Sequence, residues 1–280
     1  MSGNSGNSGN AGNADAIANT TAASAGWFFA DRIDLPFVTV QSHGTYIAKQ
    51  RLSPKSFPEQ NWSADWFAWR VLLEFAATPW VEATKVDPYP TDPAVIDAEI
   101  DNLVKAAQNE RADALDEILT QSNEFISYFL NLLTSTPGSY PKTTRLLHAA
   151  SQVGLLAVMH WKGVYQRPRP TQLCPALLPP IAVPGHAAYP SGHSTQAHLI
   201  ASVLAQVFLE VPGAAPLNAD LTALADRIAR NREIAGVHYP SDSAAGVKLA
   251  EAIQKHWNTL KPDTLYRTTV AEAAKEWAWL

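Results

Sequence analysis

AAYPSGHSTQAHLIASVLAQVFL, residues 187–209, decides the fold. It closes a stretch free of Lys, Arg, Asp and Glu that begins at Thr171. Such a run invites a membrane-span reading, but a span needs ~20 consecutive apolar residues. Prolines 175, 179, 180, 184 and 190 break the first part, and Gln196, His198, Ser202 and Gln206 interrupt the helical part from Ser194 to Leu209. The segment therefore predicts a buried core helix, entered through a loop punctuated by Pro190 and Gly192, with Ser191 as its N-cap. A helix start presents free amides and a positive dipole end to an anion, and Gly192 lets an oxyanion approach the backbone. His193, in the first turn, would sit over the same anion and exchange a proton near neutral pH.

Outward from this helix the apolar spacing stays close to three and four. Trp62, Trp66, Trp69, Val71, Leu72 and Phe75 predict one face of a helix from about Ser63 to Ala77, ended by Pro79. Asp92 and Pro93 are an N-cap and first-turn pair for Val95, Ile96, Ile100, Leu103, Val104 and Ala107. A further run, Leu115 to Leu133, closes at Pro137-Gly138. A helix from about Lys142 to Tyr165 comes next, stopped by Pro168 and Pro170. Later helices are expected at about 192–209, 218–237, 241–257 and 268–277, and no alternating strand pattern of useful length occurs. The expectation is all-α, a single-domain helical bundle over 27–280, with residues 27–60 irregular. The Gly-, Ser- and Asn-rich residues 1–26 have nothing to bury and read as a disordered low-complexity tail.

Composition narrows the partners. The 280 residues carry 21 Lys and Arg against 26 Asp and Glu, a net charge of −5, which disfavours nucleic acid and acidic lipid surfaces. Any anion must be caught locally. One cysteine, Cys174, excludes an intrachain disulfide and a cysteine-built zinc site. The N-terminus has neither the basic nor the apolar region of a secretory signal. With no membrane span predicted, the expected location is cytoplasmic.

Two further patterns carry chemistry. In KGVYQRPRP, residues 162–170, Lys162 near a helix end and Arg169 in the loop beyond could converge on one anion, a point charge and a planar fork. In NREIAGVHYPSD, residues 231–242, Arg232 lies on a helix and Asp242 stands four residues beyond His238. That spacing lets a carboxylate hold one imidazole nitrogen and aim the other. Each pattern alone has a plain structural explanation; PSGH flanked by both makes coincidence remote.

The order Lys-x6-Arg-Pro, Pro-Ser-Gly-His, Arg-x5-His-x3-Asp, from Lys162 to Asp242, resembles the signature shared by type 2 phosphatidic acid phosphatases, class A acid phosphatases and vanadium-dependent haloperoxidases. The resemblance implies a helical bundle. It implies that Lys162, Arg169 and Arg232, with the Ser191 hydroxyl and Gly192 amide, bind phosphate or vanadate. His238 would be the nucleophile, oriented by Asp242, and His193 would protonate the leaving group and then activate water. Asn231 stands where the family usually has Ser. Arg167 lacks the motif spacing and is assigned to support of the site or a substrate contact; His186 resembles an extra histidine of algal-type bromoperoxidases.

The primary expectation is a soluble phosphatase acting on a small-molecule phosphate ester through a phosphohistidine, without a cofactor. The alternative is a haloperoxidase that uses halide and hydrogen peroxide, with vanadate as cofactor and vanadium bound to His238. A third is a catalytically silent oxyanion-binding module. The short gaps within the motif favour the phosphatase, and the sequence leaves oligomeric state open.

Overall fold

The computed structural model describes residues 55–280 except 137 and 210. The expected tail at 1–26, the domain start at 27 and most of the irregular 27–60 segment lie outside the described residues. Residues 55–62 belong to a unit of their own, in which a 3-10 turn spans Glu59–Asn61 and Phe57 meets Trp62 edge-on. Residues 63–280 belong to the other unit, which holds the helices.

Eleven α-helices and no strand occur among the described residues. They are α1 Ala64–Ala76, α2 Trp80–Ala83, α3 Pro93–Asn109, α4 Arg111–Gln121, α5 Ile126–Leu132 and α6 Pro141–Tyr165. Then come α7 Pro170–Leu173, α8 Gly192–Phe208, α9 Leu217–Ile234, α10 Pro240–Thr259 and α11 Leu265–Glu276. The described residues are all-helical, as their periodicity predicted. The expected caps also form: Asp92 Oδ1 accepts the Ala94 amide at 2.9 Å, and Ser191 Oγ accepts that of Ser194 at 3.4 Å.

Helix α8 is the centre of the bundle. It packs against α6, α9 and α10, while α1 and α11 lie on α6. Leu199, Ile200, Val203, Leu204 and Val207 are fully enclosed. At roughly 1.5–3 kcal/mol per buried aliphatic side chain, this stripe explains why an uncharged stretch belongs in the interior. Among the described residues no helix is long and apolar enough to cross a membrane.

Two sequence expectations change and a third gains an element. On α1 the buried face is Phe67, Val71, Leu72 and Phe75, whereas Trp66 and Trp69 are 63% and 49% exposed. The i, i+4, i+8 row of Phe67, Val71 and Phe75 defines one stripe, and the tryptophans lie about one residue's rotation away from it. The run from Leu115 to Leu133 is two helices, α4 and α5, separated at residues 122–125. The helix expected to stop at Tyr165 does stop there, and Pro170 in addition opens the short helix α7, because proline is tolerated at a first helical position.

Helices α3 and α4 brace the functional end. Ala106 and Ile118 pack with Ile234, Ala235 and Val237, and Leu103 packs with Leu177, Ala188 and Tyr239. The loops before α8 and before α10 are thereby pinned to the same support.

Candidate active site

The two loops meet at the N-terminus of α8. Ser191 donates its amide to the Asp242 carbonyl at 3.0 Å, and Ser194 Oγ donates to the Ser243 carbonyl at 2.8 Å. So close an approach requires Gly246: a Cβ there would lie 2.7 Å from Ser194 Cβ and 2.9 Å from the Ser191 carbonyl oxygen. Gly236, at φ +79°, turns the chain out of α9 so that His238 faces the α8 terminus.

Lys162, His186, Gly192, His193, Arg232 and His238 line one cavity of about 80 Å³. Its remaining wall is mostly apolar and includes Leu155, Val158, Met159 and Ile181. Arg169, Ser191, Asp242 and Arg167 stand outside this lining and hold it from behind.

His238 is fixed at both ring nitrogens. Nδ1 lies 3.0 Å from Asp242 Oδ2 and Nε2 lies 3.1 Å from Arg169 Nη1. A guanidinium can only donate, so Nε2 carries the lone pair and Nδ1–H donates to the carboxylate. Burial, then the charges of Arg169 and Lys162, push the His238 imidazole well below its ordinary range, which keeps it neutral and nucleophilic. Asp242 also accepts the Tyr239 amide at 3.1 Å. Its carboxyl is raised by burial, against the opposing pull of Arg167.

Arg169 Nε donates to the His186 carbonyl at 2.9 Å, Nη1 to the Val237 carbonyl at 2.7 Å, and Nη2 to His186 Nδ1 at 3.0 Å. Lys162 Nζ donates to the carbonyls of Ala187 and Ala188 at 2.8 and 2.7 Å. Burial and the neighbouring Arg169 lower this ammonium well below its usual value. Arg232 differs from both. Nη2 donates to the Ile118 carbonyl at 2.9 Å, but Nε and Nη1 are buried without a hydrogen-bond partner. Two guanidinium donors so placed carry a desolvation cost that an anion in the cavity would offset.

His193 Nε2 lies 2.8 Å from the Gln121 carbonyl oxygen, which fixes Nε2–H as donor and leaves Nδ1 with the lone pair. Burial, and then Arg232, depress its imidazole to about 3. Burial likewise lowers His186 to about 4, with Lys162 and Arg169 adding to the effect.

The sequence patterns left several supporting groups unseen. The last turn of α4 supplies the Ile118 and Gln121 carbonyls that orient Arg232 and His193; backbone acceptors have no side-chain signature. Asn231 Nδ2 donates to Glu117 Oε2 at 2.8 Å and Gln121 Oε1 at 2.9 Å, tying α9 to the same turn. Arg167 donates to Asp242 Oδ1 at 2.7 Å and to Glu99 Oε2 at 2.8 Å, so it supports the site and does not line the cavity. Glu99 had a signal: it occupies the inward position of α3 shared, at i+4 and i+7, by Leu103 and Ala106.

Comparison with curated proteins finds no match. Among solved structures, the fold is similar to a transmembrane PAP2-type phosphatidylglycerolphosphate phosphatase from Bacillus subtilis, with 17% identity and a TM-score of 0.46 over 71% of this chain and 100% of that one. The profile of the PAP2 superfamily matches residues 145–264, the span that holds Lys162, the α8 terminus, Arg232, His238 and Asp242. Over residues 145–264 the chain is similar to the PAP2 superfamily.

Proposed function

We infer that this site hydrolyses phosphate monoesters through a phosphohistidine on His238. The observation that carries the reading is the pair of buried, unpartnered Arg232 nitrogens in a cavity that His238 also lines. A bound phosphoryl group would accept from Arg232 Nε and Nη1 and from the Gly192 terminus of α8. Arg169 and Lys162 now bond to protein oxygens and nitrogen; a dianion gives them stronger partners and frees His238 Nε2.

In the first step the Nε2–phosphorus bond forms and the phosphorus–oxygen bond to the alcohol breaks. Asp242 stabilises the positive charge that develops on the imidazole. His193, neutral in the free site, gains a proton as the incoming dianion offsets Arg232, and delivers it to the departing oxygen. In the second step neutral His193 takes a proton from water, the water oxygen bonds to phosphorus, and the phosphorus–nitrogen bond breaks. Phosphate leaves and His238 is restored. The proton that His193 takes from solvent in the first step returns to solvent after the second, so these side chains and water close the balance.

A second reading, a vanadium-dependent haloperoxidase, is favoured by His186, which lines the cavity with His238 and bonds to Arg169. Arg232, Lys162 and His238 Nε2 form a donor set that fits vanadate as well as phosphate. Vanadate bound there would supply activation of peroxide for halide oxidation, and these residues would hold it. One preparation separates the two readings. Phosphate release from p-nitrophenyl phosphate by metal-free protein supports the phosphatase; none, together with bromide oxidation after vanadate loading, overturns it.

A further inference from the structure

Behind His238 lies a buried ionic chain that extends beyond the family match. Glu99, on α3, lies outside residues 145–264. Its Oε2 accepts Arg167 Nη2 at 2.8 Å, and its Oε1 accepts the Ser241 amide at 2.7 Å. Arg167 Nη1 reaches the Ser241 hydroxyl and Asp242 Oδ1, each at 2.7 Å. The guanidinium carbon lies 3.7 Å from the centre of the Tyr239 ring and 5.1 Å from that of Tyr89. One cation is therefore shared by two carboxylates and held against aromatic faces, with no freedom to follow a moving partner.

We propose that Glu99 is a positioning residue: through Arg167 it fixes the orientation of Asp242, and through Asp242 the aim of the His238 ring. The proposal rests on His238 being the reacting imidazole. Three features carry it. Arg167 is 2% exposed, so solvent does not replace a lost partner. Asp242 divides its oxygens, Oδ1 to Arg167 and Oδ2 to His238 Nδ1, so rotation that follows Arg167 breaks the histidine contact. Glu99 also places a negative charge on the first turn of α10, where Asp242 resides, and the helix dipole favours it there. Deleting the Glu99 charge leaves Arg167 with Asp242 as its sole anionic partner among those described, which draws Oδ1 toward the cation and turns Oδ2 away from His238.

The test compares wild type, Glu99→Gln and Arg167→Lys in the full chain, alone and with Asp242→Asn. Glutamine keeps an acceptor for the Ser241 amide while removing the charge; the lysine variant keeps the cation and serves if Glu99→Gln does not fold. The readouts are kcat and KM for p-nitrophenyl phosphate, the thermal midpoint, and the downfield proton NMR signal of His238 Nδ1–H, assigned by its loss in His238→Ala. Expected are a displaced or broadened signal, a kcat about tenfold lower and an unchanged KM, the scale seen when outer partners of an oriented imidazole are removed. Little further loss should appear in the Asp242→Asn background, because the two residues act in series. An unmoved signal overturns the proposal whether or not kcat falls, as does a wild-type spectrum without it or a full tenfold loss in the Asp242→Asn background. If wild type releases no phosphate yet the signal moves in Glu99→Gln, the phosphatase reading fails and the positioning role stands.

Discussion

Arg232 is the side chain on which oxyanion binding turns. Lys162 and Arg169 spend their donors on protein atoms, whereas Arg232 holds two buried nitrogens without partners. Charge-assisted bonds contribute about 1.5–3 kcal/mol each, so Arg232→Met should weaken orthovanadate inhibition by at least about tenfold. Steady-state inhibition measures it; a loss under twofold would place the anion elsewhere. His193 makes a second residue-level prediction. Its imidazole is lowered from 6.5 to about 3 in the folded chain, so between those values the unfolded chain binds a proton that the folded one does not. Stability is then present above about 6.5 and is lost as pH falls toward 3. His186 acts in the same sense and Asp242, raised by burial, in the opposite one. Replacing His193 by Gln should flatten the fall of the thermal midpoint on acidification, measured by calorimetry across that range.

At the scale of elements, the contact of α8 with α10 builds the site, and Gly246 permits it. A methyl group at this position meets backbone as well as side chain, so Gly246→Ala should cost about 1–3 kcal/mol by overpacking and reduce turnover more than the stability loss alone. Gly163→Ala is the control: nothing lies within 4 Å of its Cβ position, and alanine there should be neutral or stabilising by about 0.5–1 kcal/mol. Chemical denaturation and assay of both variants check the pair. The same element explains what was legible beforehand. The α8 cap, its apolar run and the His238–Asp242 spacing are local, and local patterns are written in consecutive residues. The Ile118 and Gln121 carbonyls and the Glu99 partnership depend on which elements meet, and no spacing within one segment encodes that.

For the whole molecule, the cavity couples anion binding to folding. Arg169, Arg232, His193 and His238 come from three separate parts of the chain and face one another only when α6, α8, α9 and α10 are assembled. A ligand that binds only this assembly stabilises it by about 2.7 kcal/mol at one hundred times its Kd. Orthophosphate should therefore raise the thermal midpoint by several degrees in wild type and much less in Arg232→Met, read by calorimetry at constant ionic strength.

The covalent intermediate tests the central claim most directly. Protein mixed rapidly with p-nitrophenyl phosphate, quenched in alkali to preserve phosphohistidine and digested for mass spectrometry, should carry phosphate on the peptide containing His238. His238→Ala should carry none and release no phosphate. Phosphate on another residue, or undiminished phosphate release by His238→Ala, would contradict the account.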